Sequence, residues 1–461
     1  TCPCRCDDMQ KIKLTKKPAH LREAAKTALL VLLIATALLL FYASWLYGVR
    51  SGDMPEDNVF VSFGRYLGLI DERAEELSQG ASASALPVDA ALAGEGGLYG
   101  APQGSEEAQA IYERVRPVLA EALGSAGEFR RVTDSQFAAA LKAETAAYLE
   151  YEGEIPIGLL AQWLGVSCEA ESRALHGVLL TVEEGGVRIY FRSVPDGALY
   201  CADTAAGEKT LLDAVAGYTA NGAHFAFADE EIARYLPQES IVMDPPHGIC
   251  DLRASVPEFT AGSEAMKTLL ETVEYNAYTA RKYEDLDGTL VYVSEYSTLR
   301  IEQGGRITFS AKETRGGLAV REGEAASDSE RMSAVVERAR QVAEGFVSAV
   351  GGEGGVYLQR VSPVEDGYDV IFGVAVREIP VGAGGTSAEI LIRVRSGVVT
   401  YADYSGLRYE VTEEQSFFLG HKQAAAASGL HGDGRLRLRY VPGEDGIYHP
   451  AWFAVRDSAA R

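Results

Sequence analysis

The side chains that could do chemistry in this sequence do not fall into a pattern that defines a site. No histidine belongs to an H-E-x-x-H or H-x-E motif or to an i, i+4 pair, the spacing that places two metal ligands on one helix face. A helix-borne zinc site is therefore not predicted, and His431 with Asp433 is interpreted as an ordinary loop. The seven histidines are His20, His176, His224, His247, His421, His431 and His449.

The six cysteines do not suggest a disulfide framework either. Three of them alternate in the opening TCPCRCDD, too tightly for zinc ligands, whose pairs are about two to four residues apart. The other three, Cys168, Cys201 and Cys250, are widely spaced. One disulfide and three buried thiols are both open alternatives for them.

Nucleophile and phosphate-binding motifs are also missing from the sequence. There is no G-x-S-x-G elbow, and the glycine clusters GEGGLYG, GGEGG and VGAGG do not fit the phosphate loop G-x-x-x-x-G-K-[ST]. Acidic pairs such as Glu183-Glu184 and Glu413-Glu414 lie in polar turns, where solvated charges are expected. We therefore expect no enzyme, no catalytic, cofactor-binding or metal site and no cofactor. A hydrolase built from scattered carboxylates is the enzymatic alternative.

Composition limits the partners further. The chain of 461 residues has 47% hydrophobic residues and a formal net charge of -23. Its length suits two or three globular domains, and its acidity argues against nucleic acid, which is bound by basic surfaces.

One stretch of the sequence is apolar enough to cross a membrane. Residues 27–47 read TALLVLLIATALLLFYASWLY, without a charged side chain and with Phe41, Tyr42, Trp45 and Tyr47 at the C-terminal end. A helix of this length spans roughly 30 Å, the thickness of a bilayer core. A cleaved signal peptide is the alternative, but its apolar region is shorter, at about 7–15 residues. An uncleaved anchor is therefore predicted.

The charges that flank this span predict its orientation. The preceding segment 1–26 is basic, which favours a cytoplasmic N-terminus and an extracellular C-terminal part in a single-pass cell-membrane protein. The part of the chain after the span has 36 basic and 63 acidic residues and a net charge of -27, so we expect it to stay in solvent. The basic residues that precede the span closely are Lys11, Lys13, Lys16, Lys17, Arg22 and Lys26.

Helical and strand periodicities alternate after the span and predict an α+β fold. This fold would consist of a single transmembrane helix followed by an ectodomain of repeated helix-plus-antiparallel-sheet modules. The predicted parts are a basic tail (1–26), the span (27–47), a juxtamembrane stalk and linker (48–83), a first α+β module (84–258), a middle helix and β-meander (259–320) and a C-terminal α+β module (321–461).

Capping and turn residues locate the individual elements. Helices are predicted from Ser105 with a kink or break at Pro117, after Thr133, from Pro156 to Gly165, and at 211–218, 230–236, 261–273, 327–352 and 416–428. Strands are predicted at 148–151, 176–182, 186–193, 198–203, 283–311 as a meander, 356–360, 368–377, 387–395, 397–404, 434–441 and 447–455.

One unit recurs in the predicted sheets. Each copy is an alternating strand, a glycine turn and an aromatic residue, namely Tyr200, Phe309 and Tyr401. Alternation would place these aromatic rings with aliphatic side chains on one sheet face. Convergence of unrelated hairpins on the same pattern is the alternative.

Three segments resemble the YycH/YycI regulatory proteins of Gram-positive bacteria. EYEGEIPIGLLAQWLG (150–165) is similar to the family's strand followed by a proline-started helix. YEDLDGTLVYVSEYSTLRIEQGGRITF (283–309) resembles its Asp-Gly-Thr hairpin. The C-terminal strands, which contain Tyr440, Pro450 and Trp452, resemble its terminal module.

The resemblance implies a function in signalling. Members of the family act without catalysis, as membrane-anchored proteins that contact and tune an essential sensor histidine kinase of a two-component system for cell-wall homeostasis. The expected partners are thus such a kinase and, as a further candidate, a sister regulator. The alternative is an anchored extracytoplasmic module that binds a peptide, a wall fragment or a protease, because open sheets leave edge strands for added peptides.

Overall fold

The computed structural model describes residues 85–456 except 95, 169–172, 245, 247, 261, 277–279, 313, 321–326 and 383–387. The predicted tail, span and stalk lie outside the described residues. Among the residues that are described, no helix is long and apolar enough to span a bilayer.

Seven α-helices are present in the described ranges, and three of them begin after the predicted N-cap residues Ser105, Thr133 and Ser327. They are α1 (Glu106–Gly124), α2 (Asp134–Ala140), α3 (Ile157–Trp163), α4 (Glu208–Val215), α5 (Glu264–Thr272), α6 (Asp328–Val350) and α7 (His421–Ala427).

The strands alternate with these helices along the chain. The first half contains β1 (Pro87–Gly94), β2 (Gly97–Ala101), β3 (Arg130–Val132), β4 (Ala146–Pro156), β5 (Ala174–Glu183), β6 (Gly186–Ser193), β7 (Leu199–Asp203), β8 (His224–Phe225), β9 (Ile241–Val242) and β10 (Cys250–Ser255). The second half contains β11 (Arg281–Glu284), β12 (Leu290–Val293), β13 (Ser297–Ile301), β14 (Arg306–Ala311), β15 (Leu318–Ala319), β16 (Gly355–Val364), β17 (Gly367–Val376), β18 (Ile379–Pro380), β19 (Ile390–Arg395), β20 (Val398–Ser405), β21 (Arg408–Gln415), β22 (Gly434–Pro442) and β23 (Ile447–Arg456).

The fold is α+β, as predicted, with antiparallel pairing between its strands. A seven-stranded sheet has the order β2-β1-β4-β5-β6-β7-β3, and a ten-stranded sheet contains β11-β12-β13-β14-β20-β19-β17-β16 with β15 and β18 paired at its side. A four-stranded sheet has the order β21-β10-β23-β22, and β8 and β9 form a separate pair. The four-stranded sheet thus combines β10 with strands from the C-terminal end of the chain.

Two long helices cover the two large sheets. Helix α1 packs on β1, and helix α6 packs on β16, β17, β19 and β20. The apolar stripe of α1 is buried on both sides of Pro117, at Val115 and Val118, and the helix continues through the proline. The helix therefore does not break at Pro117, because tertiary packing holds it despite the missing N–H donor.

The local predictions with clear end signals are confirmed. Helix α6 begins after Ser327, which forms a capping box with Glu330, and ends at Gly351 with a φ of 76°. The meander turns at Asp287-Gly288 and Gly304-Gly305 join β11 to β12 and β13 to β14.

Of two other local predictions, one is wrong and one is confirmed in part. Residues 230–236 form successive hydrogen-bonded turns instead of a helix, because Pro237 follows directly and disfavours the helical conformation of the residue before it. Of the three recurring aromatic residues, Phe309 is in the core and Tyr200 packs against it, as predicted, whereas Tyr401 is half-buried and is not part of this cluster. Tyr401 instead donates a hydrogen bond to Asp403 at 3.3 Å.

Candidate functional site

Charged side chains line the contact between β4 of the seven-stranded sheet and β22 of the four-stranded sheet. Both strands alternate charged residues with other side chains, so that the charges of each strand share one face. We call these two rows the inter-sheet charge ladder. The acidic row on β4 is Glu150, Glu152 and Glu154, and the basic row on β22 is Arg435, Arg437 and Arg439.

The ladder is held by direct ion pairs. Arg437 Nη2 donates to Glu150 Oε1 at 2.5 Å, and Arg437 Nε lies 3.4 Å from Glu152 Oε2. Arg439 Nη2 donates to Glu152 Oε1. The side chains of Glu150, Glu152 and Arg437 are each at most 5% exposed. These charges are buried, and such charges are tolerated only when they are paired.

His176 joins the ladder to the backbone of β4. Its Nε2 accepts a hydrogen bond from Arg435 Nη2 at 2.7 Å, and its Nδ1 donates to the Gly153 carbonyl oxygen at 3.0 Å. Burial, together with the charges of Arg435 and Arg437, holds the pKa of His176 well below its usual value. The imidazole is therefore neutral, with its proton on Nδ1.

A partly enclosed cavity of about 50 Å³ lies beside the ladder. We call it the inner chamber. Its wall combines strands of the seven-stranded sheet, the segment before β9 and β22 of the four-stranded sheet. The polar residues that define it are Tyr148, Glu150, His176, Arg192, Glu239 and Arg435.

Some polar groups of the inner chamber have hydrogen-bond partners within the described structure and others do not. Arg192 binds both oxygens of Glu239, with Nε–Oε1 at 2.6 Å and Nη2–Oε2 at 3.0 Å, and donates to the Gly197 carbonyl oxygen at 3.3 Å. In contrast, no protein group in the described residues forms a hydrogen bond with the hydroxyl of Tyr148, a residue only 4% exposed. Burial and the neighbouring carboxylates of Glu150 and Glu239 raise the pKa of Tyr148 well above its usual value.

A wider depression of about 430 Å³ lies outside the inner chamber and shares Arg192, Gly197 and Pro237 with it. We call it the outer depression. Three aspartates line it, Asp134, Asp196 and Asp433. Asp196 and Asp433 have long ion pairs with Arg131 and Arg456, at 3.8 and 3.9 Å, so the charge of this depression is partly balanced.

The edges of the sheets differ in how they are protected. The Asn221 side chain caps the β2 edge, since its Oδ1 accepts from Gly100 N–H at 3.0 Å and its Nδ2 donates to Gly100 O at 2.7 Å. The β21 edge receives a hydrogen bond from Glu353 N–H to Tyr409 O at 2.8 Å. The β16 edge contacts β4. Each of these edges is at least partly covered within the described part of the chain.

The β11 edge is the contrasting case. All the residues of β11 are exposed, and the turn into β12 carries Leu286, whose side chain is fully exposed. Tyr283 on β11 is 48% exposed, and Arg281 and Lys282 precede it. This hairpin, residues 281–293, therefore presents exposed apolar side chains together with charges of both signs, since Glu284, Asp285 and Asp287 accompany Arg281 and Lys282. We call it the β11–β12 hairpin.

The histidines considered as metal ligands are scattered in the structure. Within the described ranges, no group of three His, Cys, Asp or Glu side chains is placed to hold a metal ion. The His431 N–H donates to Asp433 Oδ1 at 2.9 Å in a bend, which confirms the predicted loop. His421 stacks on Trp452, with ring centroids 4.9 Å apart.

The cysteines and acidic residues considered in the sequence analysis lie in ordinary structural environments. Cys201 is buried and Cys250 half-buried, and both carry free thiols. Glu183 was expected to be solvated. It instead accepts a hydrogen bond from the Tyr190 hydroxyl at 2.5 Å. His20, His247 and the three N-terminal cysteines lie outside the described residues.

The sequence alone does not predict the inner chamber. The strand-spaced glutamates in EYEGE and arginines in RLRLR were its one visible signal, since equally spaced opposite charges suit facing strands. Comparison with known proteins adds no assignment: no family model, curated protein or solved structure matches this chain.

Proposed function

We propose that this protein is a membrane-anchored extracytoplasmic regulator that acts without catalysis, by contact with a sensor histidine kinase of a two-component system. The proposal joins the predicted span and orientation with the resemblance to the YycH/YycI proteins. The structural observation that supports it is the β11–β12 hairpin. A regulator of this kind needs a surface that a partner can cover, and this hairpin offers one.

The chemistry of the hairpin suits a protein partner. No described strand pairs with the outer edge of β11, and such an edge offers backbone N–H and C=O groups to an added strand. The exposed rings and aliphatic groups of Tyr283 and Leu286 would be removed from water by the contact, which is favourable. Arg281 and Lys282, next to Glu284 and Asp287, would favour a partner surface with complementary charges of both signs.

Site-specific crosslinking in intact membranes tests this proposal. A photo-reactive amino acid replaces Leu286 at the hairpin tip in the full-length protein. In the matched control it replaces Val364, a 39% exposed apolar residue at another hairpin. We expect a sensor histidine kinase to be recovered from position 286 and not from position 364.

Two results would contradict the proposal. Equal kinase recovery from both positions would show that the hairpin is not the contact. Recovery of wall enzymes or transporters in place of a kinase would show that the partner is wrong. Replacement of residues 27–47 with an unrelated span, with the hairpin unchanged, then measures how much of the recovery depends on contacts inside the membrane.

A further inference from the structure

We propose that the inner chamber binds a primary ammonium group, with the rest of the ligand in the outer depression. This site is separate from the β11–β12 hairpin, and the proposal does not depend on a kinase partner. It rests on which hydrogen-bonding atoms of the chamber are available, on its size and on the charge at its entrance.

The available atoms of the inner chamber include two hydrogen-bond acceptors, a hydroxyl oxygen that can also donate and a carboxylate oxygen. Among the described residues, the hydroxyl of Tyr148 has no protein partner, and its oxygen lies over Gly177, another residue of the chamber wall. The hydrogen bond of the Glu150 carboxylate goes to Oε1, which leaves Oε2 to receive a ligand. A buried polar group that lacks a partner has a free-energy cost, and a donor from a ligand would remove this cost.

The arginines of the wall do not turn the chamber into an anion site. Arg192 is used by both oxygens of Glu239 and by the Gly197 carbonyl oxygen. Arg435 donates to His176, and its Nη1 is fully buried. His176 is neutral and adds no charge. An incoming anion would therefore meet the carboxylates of Glu150 and Glu239 without an available guanidinium.

The size of the inner chamber restricts what can enter. A volume of about 50 Å³ holds roughly three water-sized probes. An ammonium group with its first methylene group fits this space, whereas a ring or a trimethylammonium group is too large. Three N–H donors on one small atom suit Tyr148 Oη and Glu150 Oε2, whose residues are two apart on β4 and share one face of the strand.

The outer depression favours the same charge. Hydrogen bonds with Ser193 and Tyr200 contribute to the lowered pKa of Asp196, despite its partial burial. The His431 backbone N–H lowers the pKa of Asp433. Both carboxylates are therefore ionised near neutral pH. Their ion pairs with Arg131 and Arg456 are long, at 3.8 and 3.9 Å, so these carboxylates and Asp134 still favour a cation, and the depression of about 430 Å³ has room for an aliphatic chain.

Calorimetric titration of the full-length protein in detergent tests the proposal. The probes are n-butylammonium and 1,5-diaminopentane, and the controls are 1-butanol, a neutral molecule of similar shape, and tetramethylammonium. At pH 7 and 0.15 M salt, we expect saturable binding of both primary amines and no binding of the controls. The salt suppresses loose association with the acidic surface.

Two variants locate the binding. Tyr148→Phe removes the unpartnered hydroxyl and is expected to weaken amine binding about tenfold, the loss typical of one hydrogen bond to a charged group. Tyr151→Phe is the matched control. The Tyr151 hydroxyl is also buried without a partner among the described residues, but Tyr151 lies on the opposite face of β4, away from the chamber. It should bind amines like the original protein.

A third variant protects the test against misfolding effects. Gly177→Ala would place a Cβ 2.5 Å from Tyr148 Oη and should block the amine while all charges stay unchanged. The proposal is overturned if 1-butanol binds as well as butylammonium, if no amine saturates the protein, or if Tyr148→Phe and Tyr151→Phe weaken binding equally. Kinase crosslinking from position 286 would be unaffected by any of these outcomes.

Discussion

Arg437 and Glu150 are separated by 287 residues in the chain, yet Arg437 Nη2 lies 2.5 Å from Glu150 Oε1 and both side chains are about 95% buried. The pair connects the last hairpin of the protein to a central strand of the seven-stranded sheet. Since neither charge can reach water, each depends on the other for its stabilisation.

Removal of one partner of this pair is expected to destabilise the protein strongly. Arg437→Met leaves Glu150 without its buried guanidinium and should lower the free energy of unfolding by about 3–5 kcal/mol. Urea denaturation followed by circular dichroism measures the change. Glu150→Leu added to this variant should recover part of the loss, because it removes the stranded carboxylate.

An exposed ion pair is the matched control for this prediction. Arg306 binds Asp403 with both guanidinium contacts at 2.7–2.9 Å, but the Arg306 side chain is 47% exposed. Arg306→Met should change stability by less than about 1 kcal/mol. Equal losses for the two arginine variants would show that burial does not set the strength of the ladder.

Comparison of the ladder with helix α6 separates the features that the sequence predicts from those it does not. Helix α6 was predictable because its start at Ser327 and its end at Gly351 depend on neighbours in the chain. The alternation of Glu and Arg was equally visible. What the sequence did not contain was the side-chain contact of β4 with β22 across most of the chain, and β22 contributes Arg435 to the wall of the inner chamber. The same reason explains why His176, held by Arg435 and Gly153, could not be assigned.

Asp89 should make stability depend on pH. Burial and the adjacent Glu150 raise the pKa of Asp89 from 3.8 to about 7. An acid whose pKa is higher in the folded than in the unfolded state binds more protons when the protein is folded. The stability that this proton contributes is fully present below about pH 4 and is lost as pH rises through 7. Asp89→Asn should therefore become more stable than the original protein as pH rises, by on the order of 2–4 kcal/mol at pH 8.

The pH prediction is checked by urea denaturation at pH 4, 6 and 8. Asp213→Asn, a change at an exposed aspartate of α4, is the control and should follow the original protein at every pH. If the difference between Asp89→Asn and the original protein were constant with pH, Asp89 would not change its protonation on folding.

Gly153 is required where β16 approaches β4. A Cβ at this position would lie 1.9 Å from the Leu358 carbonyl oxygen, which belongs to the backbone and cannot rotate away. Gly153→Ala should cost about 2–3 kcal/mol, in the range of overpacked cores. Thermal and urea denaturation measure it. Gly94→Ala, where no atom lies within 4 Å of the added Cβ, should be neutral or slightly stabilising, and a similar loss there would contradict the close-approach argument.

Asn221 should keep the protein from associating through β2. Its side-chain amide both donates to and accepts from the backbone of Gly100, as a neighbouring strand would, and so occupies the edge. Asn221→Ala exposes these groups, and unpaired sheet edges recruit further strands. We expect a concentration-dependent rise in mass by sedimentation analysis, with little change in the fold by circular dichroism.

The control for the edge prediction is Gln109→Ala, which removes an amide from the exposed side of α1, where it binds Glu113. This variant should keep the mass of the original protein at every concentration. Because the Asn221 amide replaces a strand only when it supplies both a donor and an acceptor, Asn221→Asp should associate to an intermediate degree. An unchanged mass for Asn221→Ala would mean that other contacts at β2, such as the Asn221 N–H to Leu98 O hydrogen bond, protect the edge without the amide.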